Sequence, residues 1–93
     1  MVVNSRRSEI EIIRDILSLS KDGAKKTQIL YGTNLSYTQL QEYLSFLIRS
    51  GALEVVDSSD FRLYKTTTKG VEILEDINKL MKNLSASILS SKD

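Results

Sequence analysis

The sequence predicts a mainly helical α+β fold with one small β-hairpin, a single domain spanning all 93 residues. Three observations carry this expectation. Apolar residues recur at helical spacing in three short segments before Gly51. Two β-favouring runs flank Asp57-Ser58-Ser59-Asp60, and a heptad-like apolar stripe closes the chain.

Ser8-Glu9-Ile10-Glu11 has the pattern of a capping box, in which the serine hydroxyl accepts from the amide three residues on and the glutamate reaches back. Ile10, Ile13, Ile16 and Leu17 then recur at helical spacing. Lys21-Asp22-Gly23 supplies a basic last turn and a glycine suited to a left-handed end, so the first helix is expected over 9–21. Ile12 and Leu19 stand seven apart and off that face, which leaves more apolar surface than one core contact requires.

A short second helix is expected over 25–31, with Ile29 and Leu30 as its apolar members and Gly32-Thr33-Asn34 as its end. Ser36-Tyr37-Thr38-Gln39 repeats the capping-box pattern. It opens a third helix over 37–50, with Leu40, Leu44, Leu47 and Ile48 as one stripe and Ser50-Gly51 as its stop. Leu53-Glu54-Val55-Val56 and Phe61-Arg62-Leu63-Tyr64-Lys65 make a hairpin over 53–65 around the acidic turn. Thr67 caps a last helix over 68–90, roughly 24 residues and about 36 Å long. There Leu74, Ile77, Met81, Leu84 and Ile88 step by three and four residues as a seam widened by Ile73 and Leu80.

The composition, 41% hydrophobic and 27% charged, is that of an ordinary globular chain. Histidine and cysteine are both absent, which removes the commonest proton shuttle, the thiol nucleophile and any Cys/His metal site. Gly32 and Gly70 are isolated rather than part of a phosphate-cradling loop, and Glu72, Glu75 and Asp76 have the pattern of a solvated helix face. No catalytic residue, cofactor or metal is therefore expected. Apolar runs fall far short of the roughly 20 residues a membrane span needs. Residues 1–7 lack the apolar stretch of a secretory signal, so a cytoplasmic location without a membrane partner is expected. The net charge of +1 is sorted, with Arg6, Arg7, Lys21, Lys25 and Lys26 early and the acidic cluster late. Any nucleic-acid face must then be local.

Three helices followed by a hairpin is the order of a winged helix-turn-helix, in which the third helix is the recognition helix and the hairpin is the wing. Gly23 with Lys26-Thr27, Asn34-Leu35-Ser36-Tyr37, Tyr43-Leu44 with Leu47, Gly51-Ala52-Leu53 and Thr67-Thr68-Lys69-Gly70 add a family pattern. Over nearly its full length the chain resembles the small winged-helix regulators of archaea and their viruses, with the MarR-like dimer as the wider analogy. The resemblance implies duplex DNA binding, a recognition helix in the major groove and a dimer built through a C-terminal dimerisation helix.

The candidate DNA-reading residues are Ser36, Tyr37, Thr38, Gln39, Gln41, Glu42 and Ser45, the non-core positions of the third helix. Glutamine can pair bidentately with adenine, threonine can meet the thymine methyl, and the helix N-terminus favours a phosphate oxygen. An ordinary solvated face would have the same composition. Lys25, Lys26, Thr27 and Gln28 are candidate DNA-backbone contacts, joined by Arg62 and Lys65 on the wing and by Arg6 and Arg7 from an N-terminal arm. Asp57 and Asp60 would be repelled by phosphate, so the wing tip is expected to stay clear of the duplex while Arg62 makes the contact.

The candidate dimer interface is Ile12, Leu19, Ile73, Leu74, Ile77, Leu80, Met81, Leu84 and Ile88. The last helix could instead fold back on the first helix of its own chain, and the two arrangements can coexist. A two-fold dimer would read a pseudo-palindromic site with half-sites about one helical turn apart. The expected function is therefore a homodimeric regulator of transcription on double-stranded DNA. A winged-helix protein adaptor and a nonspecific architectural chromatin protein are the alternatives.

Overall fold

The computed structural model describes residues 8–91, with 86–91 described by their backbone alone. Its elements are α1 (Glu9–Leu19), α2 (Lys26–Thr33), α3 (Tyr37–Arg49), β1 (Leu53–Asp57), β2 (Arg62–Thr66) and α4 (Thr68–Ser91). Four helices and a two-stranded antiparallel wing make a winged helix fold.

Both capping boxes form. Glu11 N donates to Ser8 Oγ at 3.1 Å while Ser8 N donates to Glu11 Oε1 at 3.0 Å. At α3, Gln39 N and Ser36 Oγ are 3.1 Å apart, and so are Ser36 N and Gln39 Oε1. Each box satisfies two amide donors that a helix start would otherwise leave open.

Several ends differ from the spacing. α1 stops at Leu19, two residues early, where Lys21 N donates to the Ser18 carbonyl at 3.4 Å and the Leu17 carbonyl accepts from Thr66 Oγ1 at 2.7 Å in place of the next helical bond. Gly23 then takes φ +98° and lets Ala24 pair with Tyr64 as a one-residue bridge beside β2. α2 starts at Lys26 and runs on through Gly32 and Thr33, which stay helical; the left-handed residue is Asn34, at φ 59°. Thr33 Oγ1 donates to the Ile29 carbonyl at 2.7 Å, which suits a buried helical threonine. α3 ends at Arg49 rather than at residue 50, and α4 runs one residue beyond 90. Phe61 lies in the wing turn, where Ser58 N donates to its carbonyl, and β2 instead extends to Thr66.

The core joins Ile16 and Leu17 of α1, Ile29 of α2, Leu40, Leu44 and Leu47 of α3, Leu53 and Tyr64 of the wing, and Leu74 of α4. Full burial of one such aliphatic side chain contributes about 1.5–3 kcal/mol. Ile10 and Ile48, counted in the predicted stripes, are exposed. Their helices each turn a narrower face inward than the spacing suggests.

The base of the wing is tied to the helices by polar groups. Thr66 Oγ1 donates to the Leu17 carbonyl at 2.7 Å, and Thr67 N donates to the Ala52 carbonyl at 3.0 Å. Thr67 Oγ1 accepts from Gly70 N at 3.0 Å and so caps α4, as expected from the sequence. Lys69 Nζ donates to the Ser50 carbonyl at 2.8 Å, closing the C-terminal end of α3. α4 packs against α1, burying Leu74 and Ile77.

Candidate nucleic-acid interface

The αL turn at Asn34 and the Ser36 cap set the angle at which α3 follows α2. Ser36, Tyr37, Thr38, Gln39, Gln41 and Glu42 are exposed, with Gln39 and Glu42 lining a groove toward α1, while Ser45 is half-buried. Lys25, Thr27 and Gln28 are exposed at the start of α2.

Lys26 behaves differently from its neighbours. It is half-buried, and its Nζ donates to Gln41 Oε1 at 2.7 Å and to Tyr37 Oη at 3.4 Å. The ammonium also lies 5.2 Å from the centroid of the Tyr37 ring and 6.0 Å from that of Tyr64. One cation thus links α2, the recognition helix and the wing, with cation–π attraction added to hydrogen bonding. Nothing in the spacing of the sequence marks Lys26 for this role, since its partners lie 11, 15 and 38 positions away.

All three glutamines of the unit have their side-chain oxygens engaged. Gln28 Oε1 accepts from Lys25 N at 2.8 Å, Gln39 Oε1 from Ser36 N, and Gln41 Oε1 from Lys26. Tyr31 of α2 is 82% exposed, a candidate contact absent from the positions read from the sequence, where it only closes the expected second helix.

On the wing, Arg62 Nε donates to Asp57 Oδ1 at 2.8 Å across the paired positions Asp57 and Arg62. That hydrogen bond, and then the charge of Asp57, hold the guanidinium pKa above its ordinary value. The pair is exposed, so its net stabilisation is small. Lys65 and Asp60 are exposed, and so are the apolar Val55, Val56 and Phe61. Arg6 and Arg7 lie outside the described residues.

The candidate interface positions do not share one environment. Leu74 and Ile77 are already buried by their own chain, and Ile73 packs half-buried on the same core. Leu19 lies against the close approach of α1 to Gly32, where an added Cβ would stand 2.7 Å from its Cδ1. Met81 is half-buried beside α1, its Sδ accepting from Arg14 Nη1 at 3.2 Å. Leu80 and Leu84 are 50% and 53% exposed farther along α4, and the side chain of Ile88 lies outside the described residues.

Ile12 faces elsewhere, into a groove of about 850 Å³ between α1 and α3 that it shares with Ile13, Tyr43 and Phe46. Burial raises the pKa of the Tyr43 phenol, and the charges of Glu9 and Glu42 raise it further. Among the described residues no helix is long and apolar enough to cross a membrane. None of their acidic side chains gather into a group of three or more suited to a metal ion.

Residues 6–85 match the winged helix-turn-helix family. Among solved structures the chain is similar to Sso10a-2, a DNA-binding protein from Sulfolobus solfataricus. The two are 30% identical with a TM-score of 0.81, covering 92% of this chain and 90% of that one. A MarR-family transcriptional regulator from Rhodococcus sp. RHA1 shares the fold at 13% identity and a TM-score of 0.73, over 85% of this chain and 60% of its own. The uncharacterized protein MJ0287 of Methanocaldococcus jannaschii is 38% identical over 50 residues, which are 53% of this chain and about half, 52%, of that protein.

Proposed function

The chain belongs to the winged helix-turn-helix family, and from that premise we propose that it is a homodimeric regulator of transcription that binds a pseudo-palindromic site on double-stranded DNA. The reading makes it a binding protein without catalytic residues or a cofactor. The observation that carries it is the outer side of the α2–α3 unit, where an exposed run of hydroxyl, phenol and amide groups on α3 adjoins Lys25, Thr27 and Gln28 at the start of α2. Such a surface suits a major groove, with hydrogen-bonding groups for base edges and cationic and polar groups for phosphates. The DNA-binding activity named for Sso10a-2 supports the same reading.

Docking through α3 places Tyr37, Thr38, Gln39, Gln41 and Glu42 toward base edges. Ser36 and Ser45 stand at the margin, as a cap and a half-buried position. The Tyr37 and Thr38 amides lie outside the capping box and suit a phosphate oxygen. Lys65 and Arg62 flank from the wing, while Arg62 shares its charge with Asp57. Selection from a random pool of duplexes at moderate salt tests the proposal, and an enriched inverted repeat is the expected result. Retention without enrichment would instead mean an architectural role.

A second reading, a protein adaptor, is favoured by one observation: Val55, Val56 and Phe61 expose apolar surface on a wing whose arginine is paired internally. That reading expects no retained duplex at any salt concentration, whereas a DNA binder loses affinity steeply as salt rises.

A further inference from the structure

We infer that Gln41 is directed at guanine and that Lys26 makes it so, an inference that rests on the DNA-binding reading above. A carboxamide recognises adenine in the major groove with two atoms at once, its oxygen accepting from N6 and its nitrogen donating to N7. At Gln41 the oxygen is already committed to the Lys26 ammonium at 2.7 Å. Lys26 is also held in place, by the Tyr37 hydroxyl and by the rings of Tyr37 and Tyr64.

A positive charge at that distance acts on recognition in two ways. It repels the N6–H donors of an approaching adenine, and it polarises the amide so that the Gln41 NH2 donates more strongly. The exposed side chain therefore presents donors rather than a donor–acceptor pair. Guanine is the base whose major-groove edge sets two acceptors, N7 and O6, side by side with no donor between them. Gln39 is turned back to the start of the same helix, where its oxygen accepts from Ser36 N in the capping box.

Wild type, Gln41→Ala and Lys26→Met are each selected on random duplexes, and base preferences are compared position by position. The position whose preference collapses in Gln41→Ala is the pair that Gln41 reads. In the wild type it is expected to be G·C, preferred over A·T by at least about fivefold. In Lys26→Met, which keeps an unbranched apolar side chain but removes the ammonium, the same position is expected to move toward A·T.

An A·T pair at that position in the wild type overturns the inference. So does the absence of any position that responds to Gln41→Ala, or an unchanged G·C preference in Lys26→Met. All three outcomes leave the DNA-binding reading standing. Failure of the wild type to retain any duplex overturns both together.

Discussion

Gly70 shows how a single position can hold two elements together. A Cβ placed there would collide with the Ala52 carbonyl oxygen and stand 2.6 Å from the Thr66 methyl, so the first turn of α4 can seat on the base of the wing only without a side chain. Gly70→Ala is expected to cost about 1–3 kcal/mol through forced separation of these elements, read as a lower urea midpoint. The sequence marks Gly70 through the Thr67-Thr68-Lys69-Gly70 pattern, but the collision partners lie just before β1 and at the end of β2 and become visible only on folding. Ser20 has no such mark. It is buried, and its Oγ has no hydrogen-bond partner among the described residues, so Ser20→Ala is expected to leave thermal stability unchanged or raise it by about 1 kcal/mol.

At the scale of elements, the helix starts were the most legible features. Ser8 with Glu11 and Ser36 with Gln39 carry their geometry in four consecutive residues, which is why both boxes form where the sequence places them. Ser36→Ala is expected to cost about 1 kcal/mol, measured by chemical denaturation, through loss of the hydroxyl that accepts from Gln39 N. The wing was less legible. Its composition predicts a hairpin but cannot predict that Arg62 spends its hydrogen bond on Asp57, a cross-strand partner. If the wing touches phosphate through Arg62, Arg62→Ala lowers the DNA affinity and reduces the slope of log affinity against log salt by about 1. Unchanged affinity and slope would take Arg62 out of the interface.

For the whole molecule, the decisive question is what covers the distal part of α4. Its proximal turns lie on the chain's own core through Leu74 and Ile77, whereas Leu80 and Leu84 leave apolar surface open. With the seam shortened in this way, a second copy is expected to meet the chain chiefly through these leucines. The wild type is expected to scatter light as a dimer at micromolar concentration. Leu80→Lys with Leu84→Lys is expected to scatter as a monomer with unchanged helicity and weaker binding to an inverted repeat. A wild-type monomer would leave the exposed leucines to some other partner.

The order of elements, the two capping boxes, the cap at Thr67 and the main buried stripes were determined by the sequence itself. Each depends on residues within one or two helical turns of one another, where geometry follows from spacing. Tertiary structure alone decided the early end of α1, the bridge between Ala24 and Tyr64, the burial of Leu74 and Ile77 within one chain, and the capture of Lys26 by Gln41. These depend on contacts between distant segments, and local spacing carries no information about which carbonyl, ring or amide a folded chain brings within reach.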